Sequence, residues 1–93
     1  MDALRQRRDE IESVARTHGA SRIRVFGSVA RGDASPSSDL DLLVDLDEGR
    51  GLFDLGALLM DLRDLLGCEV DVATEDSLRP RVAQRVLADA IDL

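Results

Sequence analysis

Lysine, tryptophan and tyrosine are missing from this 93-residue chain, and histidine and cysteine occur once each. All twelve basic residues are Arg, set against 19 acidic residues of which fourteen are Asp, for a net charge of −7. That balance excludes a bulk electrostatic grip on nucleic acid. With Phe26 and Phe53 as the only aromatics there is almost no platform on which bases can stack, so direct nucleic-acid binding is not expected. The single cysteine, Cys68, cannot form an internal disulfide, and no Cys/His set has zinc spacing; it is expected to be a small buried or half-buried thiol. Two Pro and seven Gly are too few for a low-complexity or collagen-like chain. No apolar run approaches the ~20 residues of a membrane span. The opening MDALRQRRDEIE lacks the apolar segment of a secretory leader, so a cytoplasmic location is expected. What remains is globular in type, 44% hydrophobic and 33% charged. At this length the whole of 1–93 reads as a single domain, burying roughly 60–65% of its unfolded surface.

Hydrophobic periodicity predicts an α/β (α+β) fold: a small mixed β-sheet of about three strands flanked by helices. Leu4, Ile11, Val14 and Ala15 recur at helical spacing between Asp2 and His18, and Gly19 is a natural stop. Arg22–Phe26 alternates as a short strand. Residues 27–38, with two Gly, four Ser and a Pro, read as a loop with room for one helical turn near Val29–Ala30. Asp39–Leu46 is a second strand, with Leu40, Leu42, Val44 and Leu46 on one face and Asp39, Asp41, Leu43 and Asp45 on the other. A leucine stripe from Leu52 to Leu66 predicts a helix whose stripe is core, wide enough to leave a patch for a partner, ended by Gly67. Glu69–Thr74 is a third strand. A last helix is capped at Asp76 or Ser77, with Pro80 in its first turn and Leu78, Val82, Val86, Leu87, Ala90 and Ile91 on its apolar side.

Asp39 and Asp41, two apart on one strand, emerge on the same face with Cα atoms about 6.5–7 Å apart. Converging carboxylates repel unless a cation lies between them, and hard oxygen ligands favour Mg²⁺ or Mn²⁺. A solvated strand surface explains such a pair equally well. Three further features bear on the choice. Gly27 and Ser28 directly follow the first strand, where a glycine lets the backbone approach a phosphate and a hydroxyl can bind its oxygens. Ser38 brings another hydroxyl to the entrance of the second strand. Asp71 sits in mid-strand between Val70 and Val72, pointing away from both.

Gly27-Ser28, ten intervening residues and Asp39-Leu40-Asp41 form the G-S-x10-D-x-D signature of the polymerase-β-type nucleotidyltransferase superfamily. The string VFGSVARGDASPSSDLDLLVDL resembles the minimal nucleotidyltransferase branch, with Gly27, Ser28, Arg31 and Gly32 supplying G-S-x-x-R-G and Asp71 standing where that branch places its third carboxylate. The resemblance covers essentially the whole chain and implies a polymerase-β-like core. It implies that Asp39, Asp41 and Asp71 are catalytic and hold two Mg²⁺ ions, with Mn²⁺ as a substitute, and that ATP is the substrate. Gly27, Ser28, Arg31 and Ser38 then bind the nucleotide. Arg31 has an alternative, a pairing with Asp33. His18, at a helix end, is a poor catalytic candidate.

Members similar to this chain are antitoxins paired with HEPN toxins, which are helical ribonucleases, and some transfer AMP from ATP to a tyrosine of the toxin. The implied function is that of a Mg-dependent nucleotidyltransferase antitoxin working in a hetero-oligomer with a HEPN toxin encoded by a neighbouring gene. Larger relatives carry further domains to hold base and acceptor; a chain this short leaves the acceptor to another protein. A binding module that covers the toxin without chemistry is the alternative. Transfer to a small molecule is disfavoured by length.

Overall fold

The computed structural model of the chain describes residues 2–33 and 39–93. Among the described residues five α-helices, a 3-10 turn and four strands follow one another as α1 (Asp2–Gln6), α2 (Arg8–Thr17), β1 (Ala20–Phe26), α3 (Gly27–Arg31), β2 (Leu40–Leu46), α4 (Leu52–Leu66), β3 (Val70–Ala73), the turn Glu75–Ser77, α5 (Pro80–Asp89) and β4 (Ile91–Asp92). The strands form one mixed sheet in the order β3-β2-β1-β4, with β1 antiparallel to both β2 and β4 and β2 parallel to β3.

The period-two pattern of β2 and β3 sorts their side chains by face. Ile23, Val25, Leu40, Leu42, Val44 and Val70 lie on one side and join Ile11 and Ala15 of α2 and Leu58 and Leu62 of α4 in the main core. The other side carries Arg22, Arg24 and Phe26 of β1, Asp41, Leu43 and Asp45 of β2, and Asp71 of β3. There α3 and α5 lie against the sheet, and Leu43 and Val86 are the buried residues.

Several sequence expectations shift. The first helix is interrupted at Arg7, whose guanidinium donates to the Leu65 carbonyl at 2.9 Å and so satisfies an acceptor in the last turn of α4. The one helical turn expected near Val29–Ala30 is present as α3, which begins directly at Gly27 with no loop between it and β1. The last helix starts at Pro80, not at a cap on Asp76 or Ser77, because Thr74 and Ser77 close their own turn through reciprocal side-chain hydrogen bonds. It ends at Asp89, so Ala90 and Ile91 leave it and Ile91–Asp92 adds a fourth strand to the three expected. Its apolar side is only partly used, with Val86 buried but Val82 and Leu87 exposed, because the sheet face beneath it is largely charged. Within the leucine stripe Leu52 is 82% exposed, against the expectation that the stripe is core. Cys68 is exposed rather than buried, since it falls in the turn just after the left-handed Gly67 that ends α4. Among the described residues no helix is long and apolar enough to cross a membrane.

Candidate active site

Parallel pairing of β2 with β3 sets Asp41 opposite Asp71, and antiparallel pairing with β1 sets Asp41 opposite Phe26, the last residue before Gly27. Cross-strand partners share a sheet face, so Asp41 and Asp71 emerge together on the side away from the main core. Asp39, just before β2, belongs to the same alternation. Asp39 and Asp71 are exposed and Asp41 is half-buried. Burial, then the negative charge of Asp71, then that of Asp39, raise the Asp41 carboxyl above its ordinary pKa, and the positive charge of Arg31 pulls the other way.

Gly27 opens α3 at φ +73°, a left-handed backbone that glycine adopts without steric cost. A Cβ at this position would run into Oδ2 of Asp41, so the missing side chain leaves the carboxylate its place. Ser28 follows in the first turn of α3, half-buried, and its carbonyl accepts from the Asp33 amide at 3.1 Å, which folds the G-S-x-x-R-G segment back on itself. Ser38 lies outside the described residues.

Of the two alternatives for Arg31, the pairing with Asp33 is present, joined by one with Asp89. Its Nε donates to Asp33 Oδ2 at 3.5 Å and its Nη1 to Asp89 Oδ2 at 2.9 Å. The hydrogen bond to Asp89 and the charge of Asp33 hold the guanidinium more firmly protonated than usual. Asp89, at the end of α5, was not singled out by sequence reasoning. An acidic residue in a last helical turn opposes the helix dipole, and that was the available sign of a tertiary partner. His18 packs its Nε2 against Asp61 Oδ2 at 2.5 Å, away from this cluster.

The arrangement suits a divalent cation chemically: three hard oxygen donors share one face, and the middle one is disfavoured as an anion by the other two. Among the described residues no three His, Cys, Asp or Glu side chains are drawn together tightly enough to hold an ion. Two concavities of about 390 and 550 Å³ lie elsewhere, one against α2 and β1 and one beside the β2–α4 loop; none of the three carboxylates lines either.

The nucleotidyltransferase domain family matches residues 7–93. A Methanocaldococcus jannaschii protein named as a candidate protein adenylyltransferase is 43% identical over 76 residues, 82% of this chain and 82% of its own length. The protein adenylyltransferase MntA of Thermococcus cleftensis is 37% identical over 91 residues, covering 89% of this chain and 92% of that protein. A solved structure described as a candidate minimal nucleotidyltransferase superimposes with a TM-score of 0.87 at 51% identity, over 99% of this chain and 94% of that one. The same fold recurs at 19% identity and a TM-score of 0.71, over 95% of this chain and 69% of the other, in a complex of a tri-AMPylated Shewanella oneidensis HEPN toxin with an MNT antitoxin. The family match over nearly the whole length, with carboxylates and glycine turn on one face of the matching fold, places this chain in the nucleotidyltransferase family, in its minimal branch, as a nucleotidyltransferase enzyme.

Proposed function

We propose that this nucleotidyltransferase is a cytoplasmic antitoxin that transfers AMP from ATP to a tyrosine hydroxyl of a HEPN ribonuclease partner. The observation that carries the reading is the register of Asp41, opposite Asp71 on one side and against the side-chain-free Gly27 on the other. The names of the relatives support the reaction class, since MntA of Thermococcus cleftensis is a protein adenylyltransferase.

In the proposed reaction the acceptor oxygen forms a bond to the α-phosphorus of ATP. The bond from that phosphorus to the bridging oxygen breaks, and pyrophosphate departs with the electron pair. Asp71, on the edge strand β3 and exposed, takes the hydroxyl proton as general base. Gly27 and Ser28 bind the β and γ phosphates, and Ser38 adds a hydroxyl to the nucleotide side. Arg31 contributes positive charge beside the carboxylates, fixed by Asp33 and Asp89. Asp39, Asp41 and Asp71 would hold two Mg²⁺ ions, which when bound neutralise developing charge on the phosphates and acidify the acceptor hydroxyl. The rest of the protein's contribution is positioning.

The test is incubation of the purified chain with α-labelled ATP, Mg²⁺ and the HEPN protein of the neighbouring gene. Label is expected on the partner with the wild type and at least 100-fold less with Asp41→Asn, the scale on which loss of a positioned charge acts. Neutralisation of the toxin by Asp41→Asn at wild-type strength, without label, would replace this reading by steric cover.

A further inference from the structure

We propose that the N-terminal end of α4 and the groove beside it are the docking surface for the protein acceptor, taking an apolar pocket ringed by arginine or lysine on the partner. This inference rests on the reading that the acceptor is a protein. Leu52 and Phe53, the first two residues of α4, are 82% and 97% exposed, and Phe53 is one of only two aromatics in the chain. Met60, seven residues on from Phe53 and 56% exposed, extends the same helix face, with only Gly56 and Ala57 between. Solvent-facing apolar residues grouped in this way mark an interaction surface, whereas single ones do not.

Beside Leu52 a groove of about 550 Å³ runs between the β2–α4 loop and the 3-10 turn, with Leu46, Leu52 and Leu55 in its wall. Its rim is acidic: Asp47, Glu48, Glu75 and Asp76 are all exposed there. Arg50, the basic residue of the lining, is already held by Asp54 at 2.9 Å. The groove therefore presents an apolar centre within a rim of four carboxylates that have no ion-pair partner among the described residues. That potential selects a cationic partner and works against anionic lipid, RNA and a second copy of this chain, whose own net charge is −7.

The surface is separate from the chemistry. The lining comes nearest along the chain at Val44 and Thr74, each three residues from Asp41 and Asp71 respectively, about 10 Å by strand rise, and Leu46 is about 17 Å from Asp41. A partner seated at the groove can reach the carboxylates only with a different part of its surface. Docking should thus govern capture of the acceptor and leave handling of ATP alone.

Steady-state transfer from ATP to the neighbouring-gene HEPN protein tests this with Leu52→Ser/Phe53→Ser and with Glu75→Arg/Asp76→Arg. All four positions are solvent-facing, so both variants should fold, as circular dichroism checks. The expected result is a rise of at least tenfold in KM for the HEPN protein in each variant, with KM for ATP within twofold of wild type. Unchanged KM for the HEPN protein in both variants overturns the docking surface. So does self-association of the wild type in sedimentation that the Leu52/Phe53 substitutions abolish, because a second copy would then own the patch. Absence of any transfer by the wild type is a different outcome, and it overturns the proposed function instead.

Discussion

Burial and the charges of Asp71 and Asp39 all work against ionisation of Asp41, and Arg31 alone works for it. The folded chain therefore holds the Asp41 proton more tightly than the unfolded chain does. As pH rises from the ordinary carboxylate value of about 3.9 through the raised one, the unfolded state has lost its proton while the folded state keeps it, so stability falls across that interval and stays lower above it. Asp41→Asn, which never ionises, should accordingly melt at a higher temperature than wild type at pH 7, with the gap closing below pH 4. Thermal denaturation at the two pH values checks this, and a variant no more stable at pH 7 would mean the carboxylate is well compensated where it stands. The spacing of Asp39 and Asp41 was legible because a strand's period of two needs no tertiary knowledge. The partnership of Asp41 with Asp71 was not legible from spacing alone. It depends on the register of two strands separated by α4, which the mid-strand position of Asp71 suggests and the pairing of β2 with β3 supplies. The Arg31–Asp89 bond, across 58 residues, had no local signature beyond an acidic residue at the wrong end of a helix.

At the level of elements, α4 shows a carboxylate with the opposite behaviour. Asp54 accepts from the Gly51 amide at 3.0 Å and from Arg50 Nη1 at 2.9 Å, and these two hydrogen bonds hold its carboxyl below the ordinary value. A depressed folded-state pKa contributes stability that is present above the unfolded value and is lost as pH falls through the folded one. Asp54→Ala is expected to lower the melting temperature at neutral pH, with the difference shrinking in acid, whereas Asp41→Asn raises it; the two pH scans should have opposite signs. A loss from Asp54→Ala that is the same at every pH would assign the effect to contacts of the side chain that do not depend on its charge, rather than to the ionised cap. The helix itself was legible to the residue, from Leu52 to Leu66, because an apolar stripe closed by Gly67 carries its own start and stop. The end of the chain was not. Ala90 and Ile91 continue the apolar spacing of α5, and only the free edge of β1, a tertiary feature, draws Ile91–Asp92 out into a strand. That the stripe exceeds what the core needs was legible, but that Leu52 is the part left open was not: periodicity says which residues share a stripe, while the width of the sheet beneath decides how much of it is covered.

Taken whole, the molecule divides its labour between the two faces of one sheet. One face is apolar and spends its surface on α2 and α4, and the other carries the ionic groups, with Arg22 bound to Asp92 and Arg24 to Asp45 in diagonal pairs. Asp39, Asp41 and Asp71 differ from those carboxylates, because Arg31 is shared with Asp33 and Asp89 and neutralises little of their charge. A net charge of −7 adds to the repulsion at low ionic strength. A divalent cation that binds this cluster only in the folded state must then stabilise the whole chain by mass action. At ten times its dissociation constant the gain is about 1.4 kcal/mol, which for a domain of this size raises the melting temperature by on the order of 5–10 °C. The control is Asp39→Asn/Asp41→Asn, which begins higher because the repulsion is already relieved. Adding Mg²⁺ at constant ionic strength should move the wild-type curve up towards that of the variant while the variant itself hardly moves. Parallel rises in the two proteins would show that Mg²⁺ acts through general screening, and the three carboxylates would then lose their claim to the metal.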